Sequence, residues 1–262
     1  MIDQSFLKSL FFGVIPDGLV FPFPEVPAAE AEVVHRLVDG VRRLGAQVDS
    51  ARIDRDEVVP EDVMAALRGL GLFGLSVPTA YGGQGLSQTA YARLIEELAV
   101  LDSSLALIVG AHGSIGVRGL VLFGTDAQKA AYLPRLARGD SIAAFALTEP
   151  AAGSDAANIQ THAELTADGD ASILRGSKVW VTNGGIADIF TVFARTSPPE
   201  EGIKPKITAF VVEKGWGVVP GPSEPKLGVR GVSTPSLLFE SVRVPEGNVL
   251  GERGRGFKIA VE

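Results

Sequence analysis

The spacing of apolar residues changes at about residue 140, and this change constrains the fold more than any other feature of the chain. Before it, apolar side chains recur every three or four residues, which is typical of helices that bury one face; the clearest stripes cover residues 33–44, 63–70 and 91–101. After it, apolar and polar residues alternate along short runs, which is typical of strands. Because helices precede strands without interleaving, we predict an α+β chain, in which an N-terminal α-helical bundle is followed by an antiparallel β-barrel or sandwich middle domain.

Four regions follow from this pattern and from the Gly- and Pro-rich breaks in it. We predict an N-terminal extension over residues 1–29, a helical domain over 30–140, a β domain over 141–252 and the start of a further helical domain over 253–262. The predicted strands cover residues 141–147, 162–166, 171–181, 189–194, 206–212 and 236–244.

Single residues predict where some elements begin and end. Ser87 is placed to cap one helix, Thr125 with Gln128 forms a capping-box pattern at the start of another, and Gly139 is a typical helix stop. Residues 103–123 are apolar on nearly every side, which predicts a helix buried in the bundle. Residues 215–231 are rich in Gly and Pro and are predicted to form a loop.

Charge and composition exclude several functions. The formal net charge is −7 and no basic run is longer than two residues, so we expect no nucleic-acid partner. There is no cysteine, and the three histidines lack metal-ligand spacing, so no metal site is expected. Gly and Pro interrupt the apolar stretch at 6–23, so we do not expect it to form a membrane-spanning helix. It also lacks the pattern of a signal peptide. The expected location is cytoplasmic.

Two segments carry most of the functional information. Residues 145–155 (FALTEPAAGSD) run from an apolar strand into a loop that is dense in backbone and hydroxyl donors. Residues 178–185 (KVWVTNGG) place a Trp and a Thr at the end of a β-rich run, before an Asn-Gly-Gly turn. A planar aromatic cofactor with a diphosphate needs such donors for its ring edges and phosphates, and an indole to pack on its ring.

Both segments resemble the flavin-contacting motifs of the acyl-CoA dehydrogenase family. Other stretches are similar to signatures of this family in the same order: YGGQG at 81–85, FGT at 123–125, YLP at 132–134, VRVP at 242–245 and NVLG at 248–251. The resemblance covers nearly the whole chain, and residues 10–24 look like the very-long-chain branch.

The resemblance implies FAD as the cofactor and assigns a set of contacts to it. The implied flavin-binding residues are Phe145, Ala146, Leu147, Thr148, Gly153, Ser154, Trp180, Val181 and Thr182. In this assignment Thr148 meets the ring edge, Gly153 and Ser154 meet the diphosphate side, and Ser154 also faces the acyl-CoA. Trp180 packs near the isoalloxazine, while Val181 and Thr182 touch its reactive edge.

Two carboxylates, Glu149 and Asp155, lie beside the implied flavin. In a loop interrupted by Pro and Gly, they are better interpreted as acceptors of backbone hydrogen bonds than as a catalytic pair. In the family, the catalytic carboxylate lies in a C-terminal helical domain that also forms subunit contacts. Because the sequence ends at Glu262, we expect that domain to be absent or truncated and this chain to supply no catalytic residue.

The resemblance implies FAD-dependent α,β-dehydrogenation of acyl-CoA thioesters in fatty-acid β-oxidation, with electrons passing to an electron-transfer flavoprotein. We expect a C-terminal helical domain or a partner chain to complete the enzyme, and the completed enzyme to form a homo-oligomer. Two alternatives stay open: a non-catalytic flavin or acyl-CoA binding module, and a relative of the acyl-CoA oxidases, which pass electrons to oxygen. The sequence does not separate oxidase from dehydrogenase.

Overall fold

The computed structural model describes residues 5–198 and 205–261, so residues 1–4, the polar stretch at 199–204 and Glu262 lie outside the described part. The helices are α1 Phe6–Phe11, α2 Ala31–Leu44, α3 Ser50–Asp56, α4 Glu61–Gly69, α5 Gln88–Leu101, α6 Ser103–Ala111, α7 Arg118–Phe123, α8 Asp126–Arg138 and α9 Gly256–Val261. The strands are β1 Ala143–Ala146, β2 His162–Leu165, β3 Ala171–Lys178, β4 Ile189–Arg195, β5 Ile207–Glu213, β6 Val218–Ser223, β7 Pro235–Pro245 and β8 Val249–Leu250. The predicted α+β class is confirmed.

The helix ends follow the local signals in the sequence. The Ser87 hydroxyl caps α5 by accepting a hydrogen bond from the Ala90 N–H. Thr125 and Gln128 form the predicted capping box of α8, and Gly139 ends that helix with a φ of 74°. These three predictions are confirmed because each depends only on residues within one turn of the helix end.

Helices α6 and α7 are joined by a π turn at His112–Gly116, so residues 103–123 form one nearly continuous apolar helix. By length and mean hydropathy (1.7) this helix is apolar enough to cross a membrane, but 56% of its most apolar window is buried inside the protein. Gly116 faces β1, where an added Cβ would lie 2.9 Å from the Cβ of Ala143. The predicted burial in the bundle therefore holds for part of this helix, which packs with α5 and, at Gly116, against β1, while Leu107, Ile115 and Leu122 are exposed.

The strands form one eight-stranded sheet in the order β6-β7-β3-β2-β4-β5-β8, and β1 also pairs with β4. The pairing is antiparallel except that β1 and β2 both run parallel to β4, which departs from the antiparallel prediction. Ala146 is opposite Val192 and His162 is opposite Arg195, so β1 and β2 follow one another along the same edge of β4. The chain between them, residues 147–161, leaves the sheet and returns to it.

Two strands were not predicted. β6 lies within 215–231, which was expected to be a loop because of its Gly and Pro content, and β8 is a short pairing with β5. The loop prediction is wrong at β6 because this strand is at one end of the sheet and pairs with β7 alone. Proline, which lacks an N–H, is tolerated in such an edge strand, so Pro220 and Pro222 do not prevent the pairing. β3 ends at Lys178 rather than at residue 181.

The buried core continues from the helices into the sheet. One cluster of apolar side chains joins Leu67 and Leu98 to Phe190 and Phe210. A second cluster packs α7 and α8 against alternate residues of β4 and β5, including Phe193. The central strands are therefore covered on both faces, and the β domain predicted as separate shares its core with the bundle.

Candidate functional site

Residues 147–161 are the excursion between β1 and β2, and they contain most of the first candidate segment. The excursion starts with a tight turn in which Glu149 and Ala152 exchange backbone hydrogen bonds of 3.2 and 3.0 Å. The Glu149 carboxylate accepts hydrogen bonds from the N–H groups of Gln160 and Thr161, the latter at 3.0 Å. The interpretation of Glu149 as an acceptor of backbone hydrogen bonds is confirmed. Asp155 is exposed, and its role stays a prediction.

The same carboxylate forms an ion pair with Lys178, the last residue of β3. The Lys178 Nζ lies 2.7 Å from Glu149 Oε1 and also donates to the Leu147 carbonyl at 2.9 Å. The side chains are 0% and 4% exposed. Burial lowers the pKa of Lys178 to about 8, against the opposing effect of the Glu149 charge. Burial acts to raise the pKa of Glu149, but Lys178 and the hydrogen bonds together hold it below its ordinary value.

The second segment continues from Lys178 into a strained turn. Trp180 has a φ of 56° and is 61% exposed as a residue, and both features are unusual for a large aromatic residue. Val181 is buried, and its N–H donates to the Pro235 carbonyl at 3.0 Å. Asn183 is buried with a φ of 66°, and its Nδ2 donates to the Ile108 carbonyl of α6 at 3.0 Å. The turn is therefore anchored on both sides, which keeps Trp180 in a conformation that costs about 1–3 kcal/mol.

Backbone and side-chain contacts place the two segments next to each other. The Val179 N–H donates to the Thr148 carbonyl at 3.0 Å, and Lys178 reaches the Leu147 carbonyl. The structure therefore brings Leu147 and Thr148 beside the residues that lead into Trp180, Val181 and Thr182. Sequence reasoning did not single out Lys178, although its place at the start of the second segment was a usable signal.

The remaining predicted residues lie at the two ends of the first segment. Ala146 is fully buried, and its contact with the flavin stays a prediction. Phe145 packs on Phe193, with ring centroids 4.9 Å apart. Gly153 and Ser154 are exposed on the excursion, and an added Cβ at Gly153 would meet nothing within 4 Å. Within the described part of the chain, no hydrogen bond joins Gly153 or Ser154 to the other predicted residues.

The chemistry of these groups fits a flavin. In the described ranges, the hydroxyls of Thr148, Ser154 and Thr182 take part in no hydrogen bond, and neither does the indole N–H of Trp180. Free hydroxyls, half-buried at Thr148 and Thr182 and exposed at Ser154, together with an exposed aromatic face are what a polar-edged ring system with phosphates requires. The residues present therefore fit the cofactor that the resemblance implies.

A mainly apolar cavity of about 220 Å³ adjoins Phe145. Its wall combines α5, the π turn, α7, β1 and α9, through residues such as Tyr91, Leu122 and Ile259. The Tyr91 hydroxyl donates to the Gly110 carbonyl at 2.9 Å, which satisfies a polar backbone group beside the π turn. Burial raises the pKa of Tyr91. Sequence reasoning placed Tyr91 on the inner face of its helix but did not predict this cavity.

A second concave surface lies where β2 and β4 meet the chain before α9. Its lining includes His162, Glu164, Arg195 and Arg253, and Arg253 is paired with Glu246. The Arg195 Nε is buried without a hydrogen-bond partner, and this side chain forms no ion pair with any described residue. Such a group is suited to an anionic ligand. No cluster of three or more His, Asp or Glu side chains that could hold a metal ion occurs between residues 5 and 198 or between 205 and 261.

The fold and the two strand-end segments define a class: a helical bundle whose core continues into a β domain, with free hydroxyls and an exposed indole where two strands end. Two family models match the chain, "Acyl-CoA dehydrogenase, N-terminal domain" over residues 32–140 and "Acyl-CoA dehydrogenase, middle domain" over residues 144–242. The chain belongs to the acyl-CoA dehydrogenase family.

Individual relatives agree with this membership. The human very long-chain specific acyl-CoA dehydrogenase, a mitochondrial protein, is 48% identical over 265 residues, which cover 99% of this chain and 40% of that protein. The solved butyryl-CoA dehydrogenase of Megasphaera elsdenii superposes with a TM-score of 0.80 at 36% identity, covering 87% of this chain and 61% of that one. A Bacillus anthracis acyl-CoA dehydrogenase solved with FAD superposes with a TM-score of 0.75 at 35% identity, and the match covers 90% of this chain and 40% of that one. The chain therefore spans about 40% of the length of the curated relatives it matches.

Proposed function

We propose that this chain supplies the flavin- and acyl-CoA-binding part of an FAD-dependent acyl-CoA dehydrogenase that acts in fatty-acid β-oxidation. One observation carries the proposal: the Thr148 carbonyl accepts a hydrogen bond from the Val179 N–H, which brings the backbone of Thr148, whose hydroxyl has no hydrogen-bond partner, next to the residue that precedes the strained, exposed Trp180. Strain of this kind is concentrated at functional sites. The family membership supports FAD as the ligand for these groups.

The described residues divide the binding of FAD among them. The carbonyls of Leu147 and Thr148 already accept hydrogen bonds, so Thr148 offers a ligand its hydroxyl and its N–H. Trp180 supplies an aromatic face, while Gly153 and Ser154 leave open space and a hydroxyl for the diphosphate side. When bound, the flavin supplies the hydride acceptor.

The substrate is an acyl-CoA thioester, and two surfaces support this. The cavity beside Phe145 has the apolar walls that a hydrocarbon chain needs, and the groove with Arg195 offers positive charge to phosphates. Ser154 is proposed to face the same substrate.

The base that removes the α proton is proposed to come from a C-terminal helical segment or a partner chain. Glu149 cannot fill this role because it is buried, paired with Lys178 and hydrogen-bonded to two N–H groups. A general base must reach its proton with a free lone pair. We also propose that an electron-transfer flavoprotein accepts the electrons, that the completed enzyme is a homo-oligomer and that it is cytoplasmic.

The test is FAD binding by the purified chain, followed by flavin fluorescence and absorbance. Trp180→Ala and Thr148→Ala should each weaken binding about tenfold, which corresponds to 1.4 kcal/mol. Trp216→Phe, which changes the other tryptophan, is the control and should bind FAD as the parent does. Failure of the parent to bind FAD would refute the proposal.

Turnover is tested separately. With an acyl-CoA and a helical partner that carries a carboxylate, bleaching of the flavin should appear, and it should be absent with the chain alone. Rapid reoxidation by air would identify an oxidase instead. Binding of FAD and acyl-CoA without bleaching under any condition would identify a binding module.

A further inference from the structure

The buried ion pair between Lys178 and Glu149 joins the two segments that bind the flavin in the proposed function. We propose that these are positioning residues: together they set where Thr148 lies relative to Trp180 and so determine the shape of the flavin cradle. The expected effect on FAD binding rests on the proposed function. The position of Trp180 relative to the first segment can be measured without a flavin.

The pair holds the residues around Thr148 from both sides. The Lys178 Nζ donates to the carbonyl of Leu147 at 2.9 Å and to Glu149 Oε1 at 2.7 Å, which are the residues before and after Thr148. The N–H of Val179 donates to the Thr148 carbonyl at 3.0 Å. Three consecutive residues of the first segment are thus tied to the end of β3, immediately before Trp180.

Glu149 also closes the excursion on itself. Its carboxylate accepts from the N–H groups of Gln160 and Thr161 at the far end of the loop, and the Thr161 carbonyl accepts from the Arg195 N–H of β4 at 2.8 Å. One carboxylate therefore connects the start of the loop, its end and β3. Loss of this connection would release both the loop that carries Gly153 and Ser154 and the strand end that carries Trp180.

Stability alone does not account for a buried ion pair. Both side chains are almost fully removed from water, and the desolvation of two charges offsets much of their mutual attraction. Replacing such a pair by uncharged groups of similar size is often neutral for stability, whereas the pair imposes one geometry. We therefore favour a role in fixing the geometry of the site. Loss of the pair should then change the position of Trp180 and the affinity for FAD more than it changes the stability of the fold.

The experiment uses the full chain with Trp216→Phe, in which Trp180 is the sole tryptophan. The double variant Glu149→Gln/Lys178→Met removes both charges without leaving one unpaired, and Gln keeps an oxygen for the Thr161 N–H. Steady-state anisotropy and acrylamide quenching of Trp180 are measured without flavin, and the FAD dissociation constant and visible spectrum are measured afterwards. The matched control is Glu213→Gln/Arg135→Met, which removes the partly exposed pair between α8 and β5.

The double variant should stay folded by circular dichroism, and Trp180 should show lower anisotropy and stronger quenching by acrylamide. FAD binding should be weakened about tenfold or more, where each factor of ten equals about 1.4 kcal/mol. The control pair should change none of these. Parental anisotropy and FAD affinity in the double variant, with only the melting temperature lowered, would overturn the proposal.

Two further outcomes have a defined meaning. If the double variant does not fold, Lys178→Arg, which keeps both charges but changes the cation that reaches the Leu147 carbonyl and Glu149, decides by the same two readouts. If the parent does not bind FAD, the proposed function fails, while the Trp180 measurements still support or refute the positioning role.

Discussion

The imidazole Nδ1 of His112 accepts a hydrogen bond of 3.0 Å from the backbone N–H of Ala143, the first residue of β1. His112 is fully buried in the π turn and packs edge-on against Phe73, with centroids 5.2 Å apart. The bond connects the buried helix of the bundle to the strand that leads into Thr148. An acceptor at Nδ1 requires a neutral imidazole, so the link depends on pH.

The first prediction concerns acid stability. Burial lowers the pKa of His112 from 6.5 to about 4, so the folded state binds its proton less readily than the unfolded state does. The stability from this group is complete above pH 6.5 and is lost as the pH falls towards 4, amounting to about 2 kcal/mol between pH 7 and pH 5. Urea unfolding should show this loss in the parent and in the exposed control His35→Gln, but not in His112→Gln. An equal loss in all three proteins would contradict it.

The second prediction concerns the contact between the buried helix and β1. An added methyl at Gly116 would lie 2.9 Å from both the Cβ and the carbonyl oxygen of Ala143, so Gly116→Ala should push the two elements apart and destabilise the protein by about 1–3 kcal/mol. At Gly110 the nearest atom would be 3.9 Å away, so Gly110→Ala should be neutral or stabilising. Thermal unfolding of both variants checks the difference, and similar melting temperatures would disprove it.

The third prediction separates stability from binding at Trp180. Asn tolerates the left-handed conformation better than Trp, so Trp180→Asn should leave the free energy of unfolding unchanged or raise it by up to about 1 kcal/mol. The same change removes the exposed indole and should weaken FAD binding. Chemical unfolding and FAD titration of one preparation test both effects. Loss of stability together with unchanged FAD binding would show that the strain serves the fold instead.

The fourth prediction concerns the N-terminal segment. Between residues 5 and 24 no side chain is buried, and the exposed ones include Phe11 and Phe12. Removal of residues 1–24 should leave the melting temperature unchanged and reduce aggregation. The contrasting variant is Glu30→Ala, because the Glu30 carboxylate accepts from the N–H and hydroxyl of Ser87 at 3.0 and 2.7 Å. That variant should cost about 1 kcal/mol. A truncated chain as destabilised as Glu30→Ala would contradict the prediction.

Features that depend on a few neighbouring residues were predicted correctly. The cap at Ser87, the capping box of Thr125 with Gln128 and the stop at Gly139 each form within one helical turn. The strands β4 and β5 were also predicted, because their β-branched and aromatic residues favour extended backbone, although both strands are buried on both faces rather than at alternate residues. The residues of the candidate flavin site came from motif resemblance, and their contacts with FAD stay predictions.

The sequence by itself determined the order of helices and strands, the caps and the family, because these depend on local hydrogen bonding and on the residues of short motifs. Only the tertiary structure decided that β1 and β2 run parallel to β4, that Pro220 lies in an edge strand, and that Lys178 pairs with Glu149. Each of these joins residues far apart in the chain. Their free energy depends on burial and on which partner the fold brings within reach, and neither is encoded in local spacing.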